Sequence, residues 1–214
     1  MTNHPSPVTR KRGLHARAVK TFIDLQAEHL PSLTGLAQTA LALNVNEDDL
    51  RAMFKDDHAL AVAALEQSLI VLMDDCTRSA VRADPKDPIA QFQALGDAYL
   101  EWAVRYRTEF RLMADSRHID ALGVPQLRRY LDGLSDLMVR MLQRAVDEGH
   151  MHPRENVSLL ALSARTFAFG VAAMIVDGRF AKLVPAEDQV AMGKMLTHDY
   201  IRRIARSSTP PSRA

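Results

Sequence analysis

Apolar residues recur along this chain at three- and four-residue intervals almost from end to end, and prolines fall between those stretches. Leu14, Ala18, Phe22 and Leu25 carry a helix from about Lys11 to His29, which Pro31 and Ser32 close, with Ser32 offering a cap for the next. A short helix over about Ser32 to Leu43, a turn at Asn44-Val45-Asn46 and a second short helix to about Met53 follow. Leu60, Ala64, Ser68, Val71 and Asp75 mark the turns of a long helix from about Asp57 to Ala83, ended by the two prolines of "ADPKDP". Further helices are predicted from Pro88 to about Arg107, from Glu109 to Ser116, and from Pro125 to about Glu148, stopping at Gly149. Two more run from Pro153 to Asp177-Gly178 and from Ala186 to Arg206. The long β-branched runs of a sheet protein are absent, so the fold class is all-α, with about nine helices and no internal repeat.

Two features of this layout carry function. The N-terminal helices are short and tightly joined, as in a helix-turn-helix, and set off residues 1–60 as a DNA-binding domain. Residues 61–206 then form a ligand-binding and dimerisation domain, and 207–214 a flexible tail. The last two long helices are apolar over too much of their circumference for surface helices of a monomer. Leu159, Leu160, Leu162, Phe167, Phe169, Val171, Met174, Ile175 and Val176 point in nearly every direction, and Ala172, Ala173 and Gly193 permit close backbone approach. A homodimer through these two helices is the economical solution.

Composition narrows the classes. The chain has 214 residues, 47% of them hydrophobic, enough to bury a core. A formal charge of +1 gives no global pull toward nucleic acid, so affinity for it has to come from local patches. Cys76 is the sole cysteine, which fits a reducing compartment. No apolar run is read as approaching the roughly 20 residues of a membrane span, and the polar start "MTNHPSPVTRKRG" lacks a signal peptide's apolar stretch. The expectation is a cytoplasmic protein with no membrane partner.

The segment "TALALNVNEDDLRAMFKDDHAL" resembles the N-terminal signature of the tetracycline-repressor (TetR) family, without a gap. Ala40, Val45, Leu50, Phe54, Ala59 and Leu60 fall in its register. "GDAYLEWAVRYRTEFRLM" and "FAFGVAAMIVDGRF" are similar to stretches of one of that family's ligand-binding domains, so the likeness extends over nearly the whole chain. It implies a homodimeric, ligand-responsive transcriptional regulator, a repressor, that binds a palindromic operator in double-stranded DNA. The departures fall mostly on polar positions. Asn44 stands for a glycine, and asparagine tolerates the left-handed conformation such a turn needs. Asn46 stands for a serine, Arg51 for a phosphate-contacting tyrosine, Met53 for a histidine and Asp57 for a lysine. Phe167 and Phe169 replace Trp and His.

The second short helix raises a conflict. Between Asn44 and Leu60 five acids (Glu47, Asp48, Asp49, Asp56, Asp57) face two cations, a net charge of −3 in a segment shaped for a polyanion. The acids stabilise the helix dipole, or one accepts from a cytosine amino group, or the chain is a ligand-binding or adaptor dimer that has lost direct DNA binding. Against loss, Arg10, Lys11, Arg12, Arg17 and Lys20 put five positive charges into eleven residues. The candidate DNA-binding residues are Arg10, Lys11, Arg12, Arg17, Asn46, Glu47, Asp48, Arg51 and Lys55.

For the effector, the candidate lining is Tyr99, Trp102, Tyr106, Phe110, Met113, Met138, Met141, Phe167 and Met174, an adaptable apolar set that suits a small apolar or aromatic molecule. Arg105, His118 and Arg165 are candidate polar anchors. His150 and His152 flank one residue, a spacing read as polar turn rather than metal site. No phosphate loop, zinc spacing or nucleophile elbow is present, so no cofactor, metal or catalytic residue is assigned.

Overall fold

The computed structural model describes residues 7–29, 32–183 and 188–207, and among them every regular element is an α-helix. There are ten: α1 (Pro7–His29), α2 (Leu36–Leu43), α3 (Glu47–Arg51), α4 (Asp57–Arg82), α5 (Pro88–Arg105), α6 (Arg107–Ala114), α7 (Pro125–Asp147), α8 (Val157–Val176), α9 (Arg179–Leu183) and α10 (Gln189–Ser207). The element that the periodicity did not separate is α9, a five-residue helix entered through Gly178, whose φ of 68° lies where glycine is favoured. Ala186, the expected start of the last helix, residues 208–214 of the expected tail, and Pro31 lie outside the described residues.

The chain divides into two compact units, one from Met1–Leu69 with Thr108–Arg128, the other from Ile70–Arg107 with Arg129–Ala214. In the first, α2 packs on α1 and on α3. Ala18, Phe22, Leu36, Ala40, Leu50, Phe54 and Leu60 form its apolar core, each at most 3% exposed. Polar side chains fix its loops. Gln26, fully buried, donates to the Ser32 carbonyl (2.8 Å) and accepts from the Thr34 N–H (2.7 Å). Ser32 does not cap α2. Gly35 holds that position, and its N–H donates to the Gln38 side chain.

In the second unit α5, α8 and α10 pack pairwise. Trp102, Leu100 and Ala172 are fully buried. A Cβ on Gly193 would stand 2.8 Å from Ile175 Cδ1 and 3.1 Å from Val171 Cγ1, so this glycine lets α10 settle directly onto α8. The small residues Ala172 and Gly193 thus serve packing within one chain. Polar pairs fasten α10 to α5: His198 Nε2 sits 2.8 Å from Asp97, and Lys194 pairs with Glu101.

The expectation that no apolar run reaches membrane-span length requires correction. Val157–Val176 is 20 residues long and apolar enough, by length and composition, to cross a bilayer. The conflict with its packing is resolved by the residues that face α5 and α10: Ala161, Ala164, Ala168, Val171, Ala172, Ile175 and Val176 are buried against protein. Alanine-rich faces raise hydropathy while allowing close helix packing, so α8 packs one face into the bundle and leaves Leu159 and Leu162 exposed on another.

Candidate functional site

Asn44 creates the turn of the N-terminal unit. It ends α2 at φ 52°, ψ 49°, the one non-glycine residue with positive φ among those described, and its N–H donates back to the α2 carbonyls. Asn46 then caps α3, its side chain accepting from the Asp48 N–H at 3.1 Å. Leu50 is fully buried, and Phe54, 3% exposed, lies with its ring centroid 4.8 Å from that of His15. A buried leucine on one side of a five-residue helix leaves Asn46, Asp48, Asp49 and Arg51 exposed on the others.

The five acids of this stretch separate into distinct roles. Asp56 caps α4, accepting from the Ala59 N–H at 2.8 Å. Asp57 reaches across to the start of α2 and accepts from the Leu36 N–H at 2.8 Å. Its carboxylate lies so near that a Cβ on Gly35 would meet Asp57 Oδ2 at 2.7 Å, which explains the glycine. The charge that looks inverted in the sequence is therefore a helix cap. Glu47 forms an ion pair with Arg51 one turn on. Asp48 and Asp49 are exposed.

Helix α1 begins at Pro7, so the basic cluster lies along a helix rather than on an extended arm. Lys11, Arg12 and Arg17 are exposed and, like Lys55, have no carboxylate within ion-pair distance among the described residues. Lys20 pairs with Asp24 at 3.2 Å. The Arg10 side chain lies outside the described residues. Among the described residues Lys11, Arg12, Arg17 and Lys55 thus have no ion-pair partner, whereas Arg51 is engaged by Glu47.

In the second unit Tyr99 and Trp102 of α5 and Tyr106, which caps it, form a ladder with centroid separations of 6.1 Å and 6.2 Å and ring planes about 30° apart. Burial pushes the Tyr99 phenol well above its ordinary pKa, with the Arg165 charge pulling the other way. Arg165, half-buried on α8, donates through Nη1 to Ser135 Oγ on α7 at 2.9 Å. Met138 and Met141 are buried on α7 and Met174 is half-buried on α8. Phe167 stacks face to face on Tyr200 of α10, centroids 4.3 Å apart. Phe110 and Met113, on α6, belong to the first unit.

Of the expected anchors, Arg105 pairs with Asp75 at 3.4 Å on an exposed surface, and His118 lies in the first unit beside Asp115. His152 accepts the Arg154 N–H within its own turn, and His150 is exposed near Glu148. Sequence reasoning missed Ser135, because a serine mid-helix carries no signal of the cation that will bind it, and it missed Asp57 as a cap for a residue 21 positions earlier.

The profile described as "Tetracyclin repressor-like, C-terminal domain" matches residues 92–198, half the chain, and spans the aromatic ladder, Ser135 and Arg165. The chain belongs to the tetracycline-repressor-like family. A protein of unknown function from Rhodococcus sp. RHA1 is similar to it at TM-score 0.74 and 25% identity, covering 95% of this chain and 98% of that one. The fatty acid degradation regulator FadR of Bacillus halodurans matches at TM-score 0.69 and 10% identity, over 87% and 97% of the two chains. The ketosteroid transcriptional regulator KstR2 of Mycobacterium tuberculosis matches at 0.62 and 16%, over 99% and 98%. No curated protein sequence matches the chain. At these identities the two regulators support the tetracycline-repressor-like fold.

Proposed function

We propose that this tetracycline-repressor-like chain is a ligand-responsive transcriptional regulator, a cytoplasmic repressor that binds a palindromic operator as a homodimer. The observation that carries the reading is the α2–Asn44–α3 turn, with Leu50 buried and Asn46, Asp48 and Arg51 exposed, in a unit whose Lys11, Arg12, Arg17 and Lys55 have no ion-pair partner among the described residues. Residues 1–60 act as the DNA-binding domain and 61–206 as the ligand-binding and dimerisation domain. Each α3 enters a major groove, the two lying about one turn of DNA apart, ~34–36 Å. Asn46 and Asp48 face base edges, where a carboxylate can accept from a cytosine amino group. The α1 cations and Lys55 hold phosphates, with Arg10 as a further member and Arg51 oriented by Glu47.

Dimerisation runs through α8 and α10. Leu159 and Leu162 on α8 are 57% and 60% exposed, and Met195 on α10 is 63% exposed, an apolar surface uncovered in the single chain. A second copy covers it by a two-fold contact. A small apolar or aromatic effector binds in the second domain and changes DNA affinity to the extent that it prefers one arrangement of the paired DNA-binding domains.

Fluorescence anisotropy with DNA from upstream of the protein's own gene tests this. Binding tighter than to scrambled DNA, with a log–log salt slope that becomes less steep by about 1 per phosphate cation removed, is expected. Equal affinity for scrambled DNA across upstream fragments and salt concentrations would reject it. The Glu47–Arg51 pair favours a second reading, an adaptor dimer without direct DNA binding. On that reading, charge reversal at Lys11, Arg12 and Arg17 changes nothing measurable on DNA.

A further inference from the structure

Helix α2 takes its N-terminal acceptor from another helix. Gly35, at the cap position, has no side chain to offer, and the Leu36 N–H donates instead to Oδ1 of Asp57, the first residue of α4, at 2.8 Å. The donor is a first-turn N–H at the positive end of an eight-residue helix, and the acceptor is an anion. The place is open to water. Asp57 is exposed, and so are Ala37 and Gln38 of the same turn. All of these residues lie within the first unit.

The chain is shaped around this carboxylate. A Cβ at position 35 would meet Asp57 Oδ2 at 2.7 Å, so the serine, threonine or asparagine that ordinarily caps a helix is kept out. Asp56 has the same charge and a different task, accepting from the Ala59 N–H of its own helix at 2.8 Å. Of two adjacent acids, one stays on α4 and the other crosses to α2.

In a helix-turn-helix the second helix enters the major groove and the first crosses the sugar-phosphate backbone. The N–H groups that open such a helix are donors to phosphate oxygens. Here the Leu36 N–H is already met by a carboxylate of the chain itself. Two residues before that acid, Lys55 is exposed and has no ion-pair partner among the described residues.

We infer that the Asp57 carboxylate stands in the place of a DNA phosphate at the start of α2, so that the chain holds a duplex with one phosphate contact fewer and a repulsion in its stead. The inference rests on the regulator reading of the first unit and deepens it by naming a group that limits its affinity. The fold needs an acceptor oxygen at the Leu36 N–H, and an uncharged oxygen satisfies that donor as well. The charge is therefore separable from the cap.

The full-length protein is titrated by fluorescence anisotropy with a labelled duplex of arbitrary sequence over a range of salt, because phosphate contacts carry no sequence information. Asp57→Asn keeps an acceptor oxygen and removes the charge. Asp57→Ser, a smaller uncharged cap, carries the test if the asparagine variant loses helix. Asp56→Asn removes the same charge one residue away. Asp57→Asn is expected to bind the duplex about tenfold tighter at low salt, with a log–log salt slope steeper by up to about 1, and Asp56→Asn to gain clearly less. A duplex held by the Asp57 variant and not by the parent supports the inference in stronger form. Unchanged affinity and slope at Asp57 overturn it, since the carboxylate then faces away from phosphate. An equal gain from Asp56→Asn overturns it too, because net charge and not place would be at work. Either result, with the parent still binding, leaves the regulator reading intact. Failure of the parent and every variant to bind any duplex rejects that reading and the inference with it.

Discussion

The unit built on α1–α3 and the bundle of α5, α8 and α10 use their apolar residues in opposite ways. In the first, a few large side chains (Phe22, Leu36, Leu50, Phe54) are wholly enclosed, and helix ends are held by Asn44, Asn46, Asp56 and Asp57. The chemistry it presents is on its outside, as a set of cations and one short polar helix. In the second, long helices carry far more apolar surface than one chain covers, and the distinctive polar group, Arg165, is half-buried between α8 and α7. Helices as short as α2 and α3, of eight and five residues, leave little interior in which to hide a functional group. Long helices leave both an interior and a spare face. The difference therefore tells where each unit can be altered without unfolding it.

The largest effect that would break this contrast lies in the core of the first unit. Phe54→Ala is expected to destabilise it by about 3–5 kcal/mol, because a ring enclosed by packed neighbours leaves a cavity that five-residue α3 cannot fill. Circular dichroism should lose helix at low denaturant while Trp102 emission stays native. Loss of both signals together would mean that the two units unfold as one.

Next comes the spare face of the second unit. Leu162→Asp with Met195→Asp, both at exposed positions, should weaken self-association by about 2 kcal/mol or more. Sedimentation velocity reads this as a shift to single chains at unchanged ellipticity. A double variant that sediments like the parent removes α8 and α10 from the dimer interface.

Smaller again is the cap between distant positions. Asp57→Ala removes the acceptor for the Leu36 N–H and is expected to cost about 1 kcal/mol, seen as a lower urea midpoint. A neutral result would return Asp57 to its appearance in the sequence, an acid set against phosphate.

The smallest expected effect is a pH dependence. Glu109 on α6 is 8% exposed, and burial, followed by the influence of Asp24, raises its pKa above the ordinary carboxylate value against a lowering by its own backbone. A carboxyl whose folded pKa is raised binds its proton more tightly in the native state. Stability from this group is present at low pH and is lost as pH climbs from the unfolded carboxylate pKa, about 4.3, through the raised folded one. Glu109→Gln should flatten the urea midpoint over that window, and an unchanged pH profile would show that Glu109 stays solvated.

The helix count was nearly readable in the sequence because amphipathic helices repeat, and the missed element, α9, is too short at five residues to establish a period. The register of Ala40, Leu50, Phe54 and Leu60 was legible for the same reason. The start of α2 was not. Ser32 has the right side chain for a cap, but the helix begins only where Gly35 admits the Asp57 carboxylate, 21 residues away from Leu36. The nine aromatic and methionine candidates were chosen by residue type, and type does not fix direction. Tyr99, Trp102 and Tyr106 came together, Phe167 turned to Tyr200, and Phe110 and Met113 fell in the other unit.

Local periodicity, turn chemistry and charge counts act over a few residues, so the sequence by itself determined that this chain is helical, where its breaks fall, and that its cations gather near the first helix. Which acids are partnered, and by what, depends on groups brought together from far apart in the chain. Only the tertiary structure decided that Asp57 caps a helix and that Arg165 donates to Ser135, because electrostatic pairing follows distance in space rather than position in the chain.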